Sequence, residues 1–247
     1  EVQDRIYVGA HAGGMMVLHR KSGYIEYYNR HNSNLPSNNI YSIISDGYGG
    51  LWVASLEYLL HFDIDKRNFT IVDVDGDGHK LQQYNRLLFC DSKKRIWAGG
   101  EMGISVFNQV GTSLLPNTDF QIASVLKQAF VNCFYETSSG YLWIGTRNGL
   151  FALKESDKQF LQYTTENGLP SNVIYGILED AYGRLWISTN QGLSCLNSES
   201  GKFRNFTIMD GLQGNQFNAG AYCRKDNGYM LFGGVNGITS FRPETLK

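Results

Sequence analysis

Asp73-Val74-Asp75-Gly76-Asp77-Gly78 is the one stretch of this 247-residue sequence with the look of a metal site. Alternating carboxylates followed by glycine reproduce the first half of a calcium-binding loop. The second half is missing. Counting from Asp73, the twelfth position is Tyr84 where a bidentate Glu is needed, and the segment aligns with a connector that reads Thr164–Asn167 elsewhere in the chain. An elaborated acidic turn is therefore expected, with no metal and no cofactor. Cys90, Cys133, Cys195 and Cys223 show no close paired spacing, which argues against zinc and against a redox motif. Each sits in a strand-like apolar stretch and is expected to be a buried free thiol. His11, His19, His31, His61 and His79 are scattered, and no Gly-x-Ser-x-Gly nucleophile motif occurs. Paired carboxylates could still meet across strands, as a glycosidase needs, but no catalytic residue is singled out.

The elements that must position any site are strands. Hydrophobic residues make up 42% of the chain and charged ones 18%, enough apolar matter for a core. Twenty-eight glycines with 15 Tyr, 14 Phe and 4 Trp suit short strands and tight turns better than long helices. Only Gln121–Phe130 tolerates a helix. The net charge of −1 provides no general field for nucleic acid or an anionic membrane. No apolar run approaches the roughly 20 residues that cross a bilayer. The chain begins at Glu1 without an initiator Met or a signal segment, so it is expected to be cut from a longer protein.

A repeat organises the whole sequence. Tyr7, Trp52, Trp97, Trp143, Trp186 and Leu231 mark one position at spacings of 45, 45, 46, 43 and 45 residues. Six residues later comes Gly13, Gly103, Gly149, Gly192 or Gly237, and seventeen residues later Tyr24, Phe69, Leu114, Phe160 or Phe203. The unit Val173–Ile208 predicts four strands: Val173–Glu179, Leu185–Thr189, Leu193–Asn197 and Lys202–Thr207. Four antiparallel strands at this period predict an all-β fold, a β-propeller of four-stranded blades. Blades are expected at approximately 1–30 (partial), 38–75, 84–118, 130–165, 172–208 and 216–247 (partial), as one propeller domain or a fragment of one. That makes four complete blades and two partial ones, the first lacking its innermost strand and the last its outermost. The tryptophans, second in strands of the form Leu-Trp-Ile-Gly, are expected to pack between blades and not to meet ligand.

Glu166-Asn167-Gly168-Leu169-Pro170-Ser171-Asn172-Val173-Ile174-Tyr175, continued by Gly183-Arg184-Leu185-Trp186-Ile187, closely resembles the two-component regulator propeller repeat. Asn34-Leu35-Pro36-Ser37-Asn38 with Leu51-Trp52-Val53 repeats it, as does Gly140-Tyr141-Leu142-Trp143-Ile144-Gly145. The stretch Asp210-Gly211-Leu212-Gln213-Gly214-Asn215-Gln216-Phe217 looks like the last repeat of such arrays. The resemblance implies the periplasmic sensor of a membrane-bound hybrid histidine kinase, of the kind with which gut Bacteroidetes detect glycan fragments. It also implies a homodimeric receptor whose later parts, a β-sandwich, a membrane helix and the kinase, account for any membrane attachment. A seven-bladed ring would need about 315 residues at this period, so a C-terminal portion of the sensor is expected.

In such a fold the loops leading into the innermost strands share one face with the hairpins joining second to third strands. Asn38, Arg86, Asn172 and Asn215 are expected there from the approach loops. From the hairpins come His11, Glu57, Glu101, Arg147, Asn148, Asn190, Gln191 and Asn236. Amides and guanidinium forks suit sugar hydroxyls and uronate carboxylates, although Asn and Gly also serve turn geometry alone. A non-catalytic oligosaccharide sensor is the leading reading. A protein-interaction or dimerisation scaffold comes second and a propeller lyase or glycoside hydrolase third.

Overall fold

The computed structural model describes residues 2–56, 58–73, 85–117, 126, 128–154 and 159–246. Asp75 and Asp77 of the acidic turn lie outside the described residues, as does most of Gln121–Phe130. The chain divides into two compact units, Glu1–Ala129 and Phe130–Lys247.

The first unit holds three antiparallel sheets: β1 (Arg5–Ala10), β2 (Gly14–His19) and β3 (Ile25–Tyr28); β4 (Ile40–Ser45), β5 (Leu51–Ser55), β6 (Leu59–Asp63) and β7 (Asn68–Ile71); β8 (Asn85–Cys90), β9 (Arg95–Gly100), β10 (Gly103–Val110) and β11 (Ser113–Pro116). The second unit holds another three: β12 (Val131–Glu136), β13 (Leu142–Thr146), β14 (Gly149–Lys154) and β15 (Gln159–Tyr163); β16 (Ile174–Glu179), β17 (Arg184–Thr189), β18 (Gly192–Asn197) and β19 (Lys202–Phe206); β20 (Phe217–Arg224), β21 (Met230–Gly234) and β22 (Gly237–Phe241). Every sheet is an up-and-down meander in chain order, the architecture of a β-propeller blade. Four sheets have four strands, and the first and last have three among the described residues. Within each unit the first strands of neighbouring sheets approach one another, β4 with β8, β12 with β16 and β16 with β20.

The packing follows from strand alternation. A strand exposes its two faces in turn, so a blade with neighbours on both sides reads as an apolar run, and β5, β13 and most of β17 are buried throughout. Trp52 joins Leu88, Ile96 and Ala98 of the next sheet. Trp143 joins Ile174, Ile177 and Leu185, and Trp186 joins Phe217, Met230 and Phe232. Trp52, Trp143 and Trp186 are thus wedges between sheets, as their spacing predicts, and Trp97 is fully buried. Each ring removes about 150–250 Å² from water, an upper bound of roughly 4–6 kcal/mol.

A buried indole N–H still needs an acceptor. Trp97 Nε1 donates to Asp91 Oδ2 at 2.8 Å and Trp186 Nε1 to Asp180 Oδ2 at 2.9 Å. The same oxygens accept from Arg95 Nε at 2.6 Å and Arg184 Nε at 2.7 Å. The other oxygens of Asp91 and Asp180 accept backbone N–H groups that close their turns. Trp52 is satisfied differently, by Gln109 Oε1 at 3.2 Å, while Asp46 takes His61 Nε2 at 2.8 Å. In the fourth sheet Thr137 replaces the aspartate and Trp143 Nε1 is buried without a hydrogen-bond partner.

Two sequence expectations shift. The hairpin between β1 and β2 is one residue longer than its counterparts, so the glycine of that column is Gly14, not Gly13. Its N–H reaches Asn38 O as Gly149 reaches Asn172 O and Gly192 reaches Asn215 O. Gly14 is left-handed at φ 80°, and a Cβ there would meet the carbonyl oxygen of Tyr28. The added residue also brings Ile25 opposite Leu18, where Phe203 lies opposite Leu196, and leaves Tyr24 exposed. Among the thiols, Cys133 and Cys195 are buried and Cys90 is partly so, but Cys223 is exposed because β20 turns most of its residues outward.

Asp180→Ala removes the acceptor for an indole, a guanidinium and two backbone N–H groups, and should cost about 3–5 kcal/mol in urea unfolding. Thr137→Ala, whose neighbouring indole already has no partner, should cost only about 1 kcal/mol. Equal losses would contradict this account of the buried aspartates. For Asp46, burial pushes the pKa up. The hydrogen bonds from His61 and from the backbone of Tyr48 and Gly50 outweigh that and hold it below the ordinary 3.8. A carboxyl more acidic folded than unfolded stabilises above its unfolded pKa, and the contribution fades as the pH falls through the folded value. Urea midpoints measured from about pH 5 down to about pH 3 should therefore drop, and drop less in Asp46→Asn. Identical slopes in the two proteins would contradict this.

Candidate functional site

The first strands of five sheets slip register near their start. Pairing jumps from Ile40 to Ser42, from Asn85 to Leu87, from Val131 to Cys133 and from Ile174 to Gly176. In β20 the irregularity runs from Phe217 to Tyr222. A bulge leaves its residue without a cross-strand partner and redirects the side chain. The redirected residues are Tyr41, Arg86, Asn132 and Tyr175, one per sheet, at the end where the approach loops arrive.

In the first unit the bulges assemble a cluster from three successive sheets. The Arg86 guanidinium lies over the Tyr41 ring, 4.9 Å from its centroid. Arg86 Nη2 is 3.2 Å from Glu101 Oε1 in the β9–β10 hairpin, and the His11 ring from the β1–β2 hairpin sits 6.3 Å from Tyr41. Arg86, Glu101 and His11 are thus brought together as the repeat predicts, around a tyrosine that sequence reasoning missed. A guanidinium beside a carboxylate offers donors and an acceptor to adjacent hydroxyls, and a flanking ring offers a face to C–H groups. Glu57 lies outside the described residues.

In the second unit Arg147 stacks on Phe130, its guanidinium carbon 3.6 Å from the ring centroid. Asn148 and Gln191 occupy matching hairpin positions, each donating its backbone N–H to a threonine, Thr146 or Thr189. Asn190 Oδ1 is buried with no hydrogen-bond partner in the protein. Asn132 Nδ2 donates to Ile174 O at 2.8 Å and so ties two inner strands together. Tyr175 packs against the apolar cluster of the last sheets. Asn236 receives Gln213 Oε1 on its backbone N–H at 2.8 Å.

The approach-loop asparagines have structural work. Asn38, Asn172 and Asn215 each turn Oδ1 back to accept a backbone N–H at 2.8 Å, from Arg30, Thr165 and Ile208. Each also gives its carbonyl to the hairpin glycine of the preceding sheet. Their amide oxygens are committed to holding the loop, which leaves Nδ2 as the group able to face a ligand. The thiols offer no activated nucleophile in the core: burial pushes Cys133 up to about 12 and Cys195 up to about 11. Among the described residues no group of three or more His, Cys, Asp or Glu is placed to hold a metal. None of the described helices is long and apolar enough to cross a membrane.

The profile of the two component regulator propeller matches residues 34–57, 126–148 and 168–191. Those three segments match two-component regulator propeller repeats. Each matched segment runs from an approach loop through a bulged inner strand and its tryptophan strand, so it holds Tyr41 and Trp52, Asn132 and Trp143, or Tyr175 and Trp186. Histidine kinase P4 of Formosa agariphila is 29% identical over 195 residues, covering 76% of this chain and 14% of that protein. The extracellular domain of a hybrid two component system from B. thetaiotaomicron superimposes at a TM-score of 0.78 and 20% identity, over 99% of this chain and 33% of that one. PorZ, a surface component of the type-IX secretion system of Porphyromonas gingivalis, superimposes at 0.74 and 16% identity, over 98% and 37%. These likenesses show the propeller fold, and the repeat-bearing chain spans a minor part of each relative.

Asn172→Ala and Asn215→Ala should each lower the unfolding free energy by about 0.5–1.5 kcal/mol in ligand-free protein, because a loop-holding hydrogen bond is lost. Urea titration checks this. Unchanged midpoints would show that these asparagines are free of the framework.

Proposed function

We propose that these repeats form part of the periplasmic sensor region of a membrane-bound two-component histidine kinase, and that the ligand is an oligosaccharide. The observation that carries the reading is the Tyr41–Arg86–Glu101 cluster, in which bulges redirect Tyr41 and Arg86 and a hairpin supplies Glu101, on a framework otherwise closed by apolar packing. The repeats supply the signalling context and the cluster supplies the chemistry. The portion is proposed to be non-catalytic. The ligand is proposed to bind one arrangement of the receptor, taken to be a homodimer, better than another, since equal affinity for both would move nothing. The relatives' names support a kinase and an extracellular domain; the choice of a sugar rests on the donor, acceptor and ring set.

A ligand that binds only the folded chain at 100 times its Kd adds about 2.7 kcal/mol of stability. Differential scanning fluorimetry against a panel of neutral and uronate oligosaccharides should give at least one clear rise in Tm, abolished by Arg86→Ala. A flat response across the panel, or a rise that survives Arg86→Ala, would sink the assignment to this face.

A further inference from the structure

A groove of about 560 Å³ runs along the rim of the first unit, between β3, residues 32–34 of the loop that leads into β4, and the β6–β7 turn. That lies within the roughly 300–1,000 Å³ usual for small-molecule sites. Tyr24 on its wall is 60% exposed, and Tyr27 contributes its backbone, its ring turning to the other face of β3. Glu26, only 15% exposed, lies at its centre. Its Oε2 accepts from Tyr28 Oη at 2.9 Å, and its Oε1 lies 3.4 Å from Arg67 Nη2. His19 Nε2 is 3.3 Å from the same oxygen, yet it is buried and off hydrogen-bond geometry.

The amides of the groove are already committed. Asn32 bonds to Tyr27 O and Asn29 N, and Asn34 to the backbone of Phe69 through both its nitrogen and its oxygen. They fix the walls and leave the Tyr24 face and the exposed Arg67 guanidinium to meet a ligand. Arg67 has φ 55°, a left-handed conformation that strains a non-glycine residue at a turn where glycine would fit. Strain of this kind gathers where a side chain has a task. The framework does not ask for these residues either. The register positions of Glu26 and Tyr27 hold Thr70 and Ile71 in β7, Leu161 and Gln162 in β15, and Arg204 and Asn205 in β19.

We infer that this rim groove is a second binding site, for a neutral oligosaccharide with a ring face stacked on Tyr24 while its hydroxyls bridge Arg67 and Glu26. A neutral sugar fits better than a uronate, because Glu26 already balances Arg67 and would repel a ligand carboxylate held at the same guanidinium. An aromatic face with a paired donor and acceptor suits a polyol, and the exposed, polar walls offer no enclosure for a lipid chain. The site stands on its own geometry and does not depend on the approach-loop face.

The test is 15N-resolved NMR on the full chain with cellotriose, maltotriose, xylotriose and mannotriose, and with trigalacturonate as the anionic comparison. At least one neutral trisaccharide should shift the amides of residues 24–28 and 66–68. Tyr24→Ala and Arg67→Gly should each weaken that binding about tenfold or more, while Arg86→Ala leaves it unchanged. Glycine adopts the left-handed backbone freely, so Arg67→Gly should hold or raise the unfolding midpoint, and Tyr24→Ala alters an exposed ring; urea unfolding of both verifies the fold. The inference is overturned by no shift at the rim with any neutral probe, by response to trigalacturonate alone, or by rim binding that persists in both variants. Loss on Arg86→Ala alone would overturn it too, while leaving the approach-loop face intact.

Discussion

An indole ring buried between two sheets, with its N–H delivered to an acceptor, is the constraint from which the rest of this molecule follows. A single four-stranded meander has two apolar faces and cannot bury both. Placed between neighbours it buries both, and the largest side chain available fills the gap that strand twist opens between blades. The buried aspartate six residues before the ring then does two jobs, closing the first hairpin with one oxygen and satisfying indole and guanidinium with the other, as at Asp91 and Asp180. Two sheets depart from this scheme. Gln109 reaches across to Trp52, and Trp143 goes without an acceptor, so packing tolerates variation in the polar partner more readily than loss of the ring.

With strand centres given over to packing, chemistry is displaced to places where pairing fails. The bulges at Tyr41, Arg86, Asn132 and Tyr175 provide such places once per sheet. At Tyr41, Arg86 and Asn132 the bulge lets a side chain leave the apolar stack without leaving an unpaired strand behind it, while Tyr175 stays against the apolar cluster. The approach-loop asparagines hold these openings in shape by capping the connector before them and the hairpin beside them. A fixed scaffold with variable bulged residues is how a repeat protein can keep one fold and alter what it recognises.

Much of this is legible in the sequence because the repeat supplies several registers at once. The strand predictions for Val173–Ile208 fall within a residue of β16 to β19, and the wedge role of the tryptophans follows from position alone. The aspartate column at Asp46, Asp91 and Asp180 was equally readable at six residues before each tryptophan, and was passed over because acidic turn residues look solvent-facing. Gly13 and Tyr24 were misplaced because a one-residue insertion in a hairpin is invisible to a fixed period. The bulges were hidden for a different reason: a slipped residue reads as one more member of a strand, so Tyr41 and Asn132 look like ordinary pattern breaks. The rim groove joins two sheets through Glu26 and Arg67, and no single repeat contains both.

Amide hydrogen exchange on the full chain tests the central claim most directly. If indoles wedged between sheets carry the stability, the slowest amides should lie in β5, β9, β13 and β17, and the approach loops and bulged residues should exchange well before them. Tryptophan strands that exchange as fast as the hairpins would contradict it.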